Sequence, residues 1–308
     1  MTKYVLRRLL STIPVLFGVA TATFFIVNIL PGDPIRALFG SDENADPVRI
    51  EKLRTELGLN DPLPVRYVKY IGQVARGNLG RSVLTNRPVI DSIVEQFPST
   101  VYLALFALLL SMVVGVTLGV VAAVRHRTWI DTAAMVGAVV GVGLPNFFLA
   151  ILLILLFSVY LGWLPATSQG GFTSIILPGV SLGVASAAIL ARLTRSSMLE
   201  VLRSEYITTA RAKGLAEQAV VVKHALRNSL IPVVTTLGVE LGRLLAGAII
   251  IETVFARPGI GRLLLGAISA KDAPVVQGTI IFSAVIFVLI NLLVDLSYGF
   301  LDPRIRYS

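Results

Sequence analysis

Catalysis needs acids, bases, nucleophiles or metal ligands gathered in one place, and this sequence scatters them. It has no Cys and two His, His126 and His224, far apart in the chain. That argues against disulfide scaffolds, iron–sulfur sites and zinc sites, and no metal ligand is expected. No Gly-x-x-x-x-Gly-Lys-Ser/Thr run occurs, so there is no phosphate-cradling loop. No catalytic residue is expected. The informative charges stand inside or at the ends of apolar stretches: Glu240, Arg243, Glu252 and Asp295. Such residues are costly in hydrocarbon and read as functional by default. Glu240 and Arg243 are three apart, opposite in sign and on one helical face. They are either a self-neutralising pair that packs the bundle or meets a partner subunit, or part of a pathway lining. Asp295 follows Asn291 by one turn, which suits a hydrogen bond between helices. Glu252 lies near the outer end of its stretch and reads as an interfacial or partner contact. His126 and His224 fall at cytoplasmic ends and read as interfacial.

A second polar feature is a run of residues with helical spacing and a built-in corner. In Glu205-Tyr206-Ile207-Thr208-Thr209-Ala210-Arg211-Ala212-Lys213-Gly214-Leu215, Ser204 can cap a short helix and Gly214 can close it in the left-handed conformation. A second helix then returns the chain through Lys223-His224-Ala225-Leu226-Arg227-Asn228. Two short helices about a Gly corner make a knob shaped to enter a groove on a partner.

The elements that position these residues follow from composition. Over 308 residues the chain is 55% hydrophobic and 15% charged, with a mean hydropathy of +0.81. A soluble domain carries about a quarter charged residues, so a cytosolic protein and a disordered chain are both excluded. The net charge of +9 is dispersed, and nucleic acid is not an expected partner. About 20 apolar residues cross a bilayer. Six stretches qualify: Leu9–Leu30, Gln96–Val124, residues 134–161, residues 174–191, Asn228–Ala256 and a last one from Ala273 through Val294 towards Leu301. Trp163-Leu164-Pro165 opens the break between the third and fourth, and Pro145 predicts a kink within the third. The first reads as a retained helix rather than a signal peptide, because its apolar run is longer than a signal h-region and no small-x-small cleavage site closes it; Pro31-Gly32-Asp33-Pro34 ends it as a turn would. Gly-x-x-x-Gly spacings at Gly115/Gly119, Gly137/Gly141, Gly179/Gly183 and Gly238/Gly242 permit close helix packing.

Lys and Arg number 14 in residues 1–8, 125–131, 192–229 and 302–308, against 3 in the short loops near 162–173 and 257–276. The positive-inside rule therefore puts both termini and the 192–229 knob in the cytoplasm. Residues 31–97 are a different material, with 18 charged residues in 67, split 9 to 9 by sign. Amphipathic helices are predicted over Pro47–Leu57 and Pro64–Ala75 in this extracytoplasmic insert. It either meets something outside or caps the bundle.

The knob's Glu-Tyr-x-x-x-Ala-Arg-Ala-x-Gly, followed by His-Ala-x-x-Asn-x-x-x-Pro, resembles the EAA loop of the dipeptide/oligopeptide/nickel permease family of ABC importers. So do Tyr4-Val5-Leu6-Arg7-Arg8-Leu9, Asp61-Pro62-Leu63-Pro64-Val65-Arg66-Tyr67, Gly77-Asn78-Leu79-Gly80-Arg81-Ser82 and Glu252-Thr253-Val254-Phe255. So do Pro258-Gly259-Ile260-Gly261-Arg262 and Leu301-Asp302-Pro303-Arg304, and the long insert is similar to that of the "B" permease subunit. In the wider pattern Glu-Ala-Ala-x-x-x-Gly the acid stands at the place of Thr208, whereas the nearest acid here is Glu205, about one turn away.

The resemblance implies an all-α polytopic membrane protein with six transmembrane helices of the type I importer kind. Helix 1 with the N-terminus takes residues 1–30, the insert 31–97, helices 2–6 98–301 and the cytoplasmic C-terminus 302–308. The coupling loop is 192–229, with Glu205, Tyr206, Thr208, Ala210, Arg211, Ala212 and Gly214 as its contact residues. The implied partners are a second permease subunit, two cytoplasmic ATPase subunits that bind ATP and Mg, and an extracytoplasmic substrate-binding protein. The implied location is a bacterial or archaeal cytoplasmic membrane. The implied cargo is di- or oligopeptides, with nickel or glutathione as the alternative. A membrane-embedded enzyme would need a clustered acid, base or metal site; a stand-alone channel or carrier would leave the knob without a task.

Overall fold

The computed structural model describes residues 2–29, 51, 54–55, 60–167 and 170–301, with side chains from Leu10 to Val294 within those ranges. Ten helices are used below: α1 (Thr2–Ile29), α2 (Leu63–Ala75), α3 (Val89–Val124), α4 (Trp129–Gly143), α5 (Asn146–Tyr160), α6 (Thr173–Leu202), α7 (Glu205–Ala212), α8 (Glu217–Val254), α9 (Ile260–Ser269) and α10 (Ala273–Leu301). Five of them, in α1, α3, α6, α8 and α10, are long and apolar enough to cross a membrane. The bent pair α4 and α5 makes a sixth if it is counted as one span. Among the described residues no strand forms beyond a single Arg81–Pro88 bridge. The predicted helix over Pro47–Leu57 lies largely outside the described residues, as do Asp302 to Ser308 and the side chain of Asp295.

The described residues divide into two compact units, one of residues up to 98 with 258–289, the other of 99–257 with 290–301. In the first, Val89 and Ile93 of α3 meet Ile260 and Ala267 of α9 and Val275 of α10. The described part of the insert, residues 60–97, is tied into this unit. Asp272 accepts from the Ser82 hydroxyl at 2.5 Å and the Val83 amide at 3.2 Å. Tyr67 of α2 meets the Thr21 hydroxyl of α1 at 2.8 Å and packs beside Phe24. The α2 helix falls where predicted, but its expected apolar stripe is not its packed face: Val65, Val68 and Ala75 are exposed, Ile71 and Val74 are half-buried, and the Tyr67/Tyr70 side faces α1. The aromatic rings bury more surface per residue than the valines do, so they win the contact. Burial pushes the Tyr70 phenol up to about 12.

The second unit is built on α6, which packs against α4, α5 and α8. Leu182 of α6, Leu244, Ala248 and Ile251 of α8, and Leu103 and Ala107 of α3 form its core. Small residues bring the backbones together. A Cβ on Gly119 would stand 2.6 Å from the Ala191 carbonyl, and one on Gly183 2.9 Å from the Ala107 carbonyl. Gly137 has nothing within 4 Å of its Cβ direction, so among the described residues it makes no close helix crossing. Ser111 donates to the carbonyls of Ala107 and Gly183 and closes the α3–α6 crossing. Pro145 does more than kink its span: the chain breaks between Gly143 and Asn146, and the two halves meet at 105°. Leu144 and Pro145 both leave helical dihedrals, so two residues rather than one missing hydrogen bond make the turn.

Candidate functional site: the packed knob and the polar sites of the spans

The knob is a small packed body. Ile207 and Ala210 of α7 are buried with Val220, Val221 and Ala225 of α8, Met198 of α6 and Ala123 of α3. Its inner face is thus fixed on the ends of three long helices. Gly214 takes φ +79, the left-handed corner that the sequence predicts. The Gly214 amide donates to the Arg211 carbonyl at 2.9 Å and the Leu215 amide to the Ala210 carbonyl at 3.4 Å. This pair is a Schellman closure. Ser204 precedes α7 as expected but does not cap it through its side chain; its hydroxyl donates to the Val201 carbonyl at 2.6 Å instead. A carbonyl freed at the end of α6 captures the hydroxyl first.

The outward residues differ in what they already hold. Arg211 makes two bonds to Glu217, at 3.0 and 2.6 Å, and this carboxylate holds the guanidinium above its ordinary value. Tyr206 accepts from the Asn228 amide at 2.8 Å, which links α7 to α8. Glu205, Thr208 and Ala212 are exposed, and Ala210 is buried. Between α7 and the membrane part of α8, residues Val220–Ala225 form a π-helical segment. Such segments are wider than α-helix and recur at functional sites. No residue pattern had pointed to it.

Three polar sites lie in the second unit's spans. Glu240 and Arg243 pair at 3.0 Å, as their spacing predicts, and Ser186 of α6 donates to the other carboxylate oxygen at 2.5 Å. Glu252 is fully buried, against the interfacial expectation, and Thr100 of α3 donates to it at 2.5 Å. The third site was not foreseen: Asp131 is buried and accepts from Nε and Nη2 of Arg195, from His126 at 3.0 Å and from the Arg127 amide at 3.1 Å. Sequence distance hid it, since Arg195 stands on α6 and Asp131 on α4. Asn291 is partly buried on α10, and one turn beyond it Val294 fills the space against Gly238.

Two families of binding-protein-dependent transport proteins match this chain. Residues 1–104 match the N-terminal part of the membrane component, and residues 115–307 match the inner membrane component itself. The chain is 44% identical to the dipeptide transport system permease protein DppB of Alkalihalophilus pseudofirmus, covering all of both chains. It is also 44% identical to the glutathione transport system permease protein GsiC of Escherichia coli K12, again over all of both. Among solved structures, the inward-facing MetNI methionine ABC transporter superposes with a TM-score of 0.58 at 20% identity, over 69% of this chain and 97% of that one. An amino acid ABC transporter gives 0.55 at 15%, over 68% and 94%. These two establish the fold alone. A helical membrane body, a packed polar knob and matches across nearly the whole length agree: this chain belongs to the family of binding-protein-dependent transport system inner membrane components, the permease subunits of ABC importers.

Proposed function

We propose that this permease subunit carries di- or oligopeptides inward, together with a second permease subunit. Two separate cytoplasmic ATPase subunits, which bind ATP and Mg, drive it, and an extracytoplasmic binding protein delivers the cargo. The observation that carries the peptide reading is the 44% identity to a dipeptide permease over the full length of both chains. Glutathione is the second reading, because the relatives named for it are as similar. Glutathione is itself a small peptide with free carboxylates, so the two share chemistry.

The knob is where the ATPases dock. Its outer side carries Glu205, Thr208 and Ala212, while its inner side is packed on α3 and α6. A displacement of α7 therefore reaches α6 through Met198, and α8 through Val220 and the Tyr206–Asn228 bond. Ser186 and Glu240 join those two helices deeper in the span. Rigid helices coupled in this way rock together, as alternating access requires. On the other side, the insert of residues 31–97 receives the binding protein. A cleft of about 350 Å³ there is lined by Ser82, Thr85, Gln96, Arg262 and Asp272.

Both termini are cytoplasmic in this reading. The chain has no Cys, so single cysteines at Trp163 and Lys213 report the two faces. Labelling of Trp163→Cys from the cytoplasmic side alone overturns the orientation. Function is tested by uptake of labelled dipeptides, oligopeptides and glutathione into proteoliposomes holding the whole complex, with nickel as control. ATP-dependent accumulation of peptide supports the reading; accumulation of nickel alone refutes it.

A further inference from the structure

The Glu240–Arg243 pair is lopsided. The Glu240 side chain is 3% exposed, whereas that of Arg243 is 58% exposed. Glu240 is held from two sides, by Ser186 and by Arg243. Among the described residues, Glu240 is the one hydrogen-bond partner of the Arg243 guanidinium, and it uses one of five N–H donors. Arg243 is no residue of a helix end. It stands 11 residues before Val254, about 16 Å inside the outer end of α8. A guanidinium exposed at that depth is not tolerated against lipid tails; it faces water or another protein.

The broken span supplies a second observation at the same place. Gly247 lies one turn beyond Arg243 on the same face of α8, and a Cβ there would stand 3.8 Å from the Asn146 side-chain nitrogen. Asn146 opens α5 immediately after the 105° break, where Gly143 and Pro145 are exposed. Backbone that leaves the helix at membrane depth is tolerated where it lines a water-filled cavity or is sealed in protein. Here it is exposed, and it lies beside the same face of α8 that presents Arg243. Two independent costs, an open cation and an open break, converge on one place, and a watered pathway relieves both.

We propose that Arg243 is a binding residue for a carboxylate of the cargo as it crosses the middle of the membrane, with Glu240 as the positioning residue that holds the guanidinium at the pathway wall. The planar fork of Arg matches a carboxylate with two parallel bonds. Glu240 neutralises the cation between passages and so keeps the hold weak enough for release. The inference rests on the importer reading, and it names what that reading leaves open, the chemistry of the pathway. A peptide C-terminus and glutathione both offer the required group.

The test uses Arg243→Cys, the one thiol in this chain, in the complete complex in proteoliposomes. The probes are labelled alanyl-alanine and glutathione, each delivered by the binding protein, and an identically treated wild-type complex corrects for thiols on other subunits. Uptake by Arg243→Cys falls at least about tenfold, the loss expected for one charge-assisted bond, with the complex still assembled. Aminoethyl methanethiosulfonate, which restores an ammonium, recovers uptake, and the sulfonatoethyl reagent does not. Loaded binding protein with ATP slows the modification. Arg243→Lys retains uptake with a raised KM, while Arg243→Gln behaves as Arg243→Cys does. Unchanged uptake in Arg243→Cys, equal effects of the two reagents, an unreactive thiol in the assembled complex, or loss of the second permease subunit overturns the proposal. The last two results make Arg243 an intersubunit contact. Failure of the wild-type complex to take up either probe counts against the peptide reading instead.

Discussion

Asp131 and Glu240 are both buried carboxylates paired with an arginine, yet their surroundings differ. Around Asp131 every bond closes inward: Arg195, His126 and the Arg127 amide converge on it where α4 begins. Arg195 itself is mostly covered. Around Glu240 the acid is sealed and the cation is open. A closed pair fastens helices, and its loss is felt in stability. An open pair fastens one helix contact through its acid and leaves the base for something else. The difference teaches that the acid's burial says little about a pair's task; the exposure of the base carries the information.

The same acid-to-amide change at both places is the strongest way to break this comparison. Asp131→Asn leaves the Arg195 charge without its counterion in a largely buried site, which costs about 3 kcal/mol or more. Glu240→Gln keeps an acceptor for Ser186 and leaves Arg243 with access to water, so it costs about 1 kcal/mol. Thermal unfolding of the purified complex in detergent should show a large drop for the first and a small one for the second. Equal drops would mean that the two pairs do one job.

A next smaller effect separates real helix crossings from accidental spacing. In Gly119→Val the new Cβ meets Thr194 at 2.5 Å and the Ala191 carbonyl at 2.6 Å, and overpacking of this kind costs about 1–3 kcal/mol. Gly137→Val meets nothing and should leave folding yield unchanged. If both variants fold equally well, α3 and α6 are less rigidly joined than the closed region requires.

Gly214 sharpens the comparison from the side of the knob. Its Cβ direction is empty, so the whole penalty of substitution is backbone strain at φ +79, about 1 kcal/mol or more for a β-branched residue. Gly214→Val should leave the spans inserted but disconnect ATP hydrolysis from uptake, and Gly214→Asn, which tolerates this conformation, should retain most of it. Near-normal transport by Gly214→Val would make the loop a passive connection.

Much of this was legible in the sequence because it is local. Five apolar spans and the bent pair α4–α5, the Gly214 corner, the Glu240–Arg243 pair and the helix from residue 64 to Ala75 each depend on neighbours within a turn or two. What was hidden depends on distant partners. Asp131 finds Arg195 across 64 positions, Thr100 finds Glu252 across 152, and Ser186 finds Glu240 across 54. The exposed stripe of α2 and the failed Ser204 cap are cases in which local pattern was right about the element and wrong about its contacts. A competing partner nearby, an aromatic face or a free carbonyl, was the better bond.

The smallest effect concerns which side chain of the knob would meet the ATPase in the proposed docking. Family resemblance points to the position of Thr208, and charge points to Glu205. Both are exposed on α7, and among the described residues neither side chain has an internal hydrogen-bond partner. Arg211 is different: it is engaged by Glu217 and so holds the corner rather than the partner. Reversal of one exposed charge changes docking by about 1 kcal/mol, several-fold in affinity, and salt weakens the effect. Glu205→Lys should therefore reduce co-purified ATPase modestly at low salt and less at high salt. Thr208→Lys should do so by adding bulk and charge if its position is the contact, with little dependence on salt. Whichever variant loses ATPase while retaining an intact Tyr206–Asn228 link and normal membrane insertion identifies the contact. If neither does, docking runs through Ala212 and the backbone of the corner, and the charges on this face only tune its solubility.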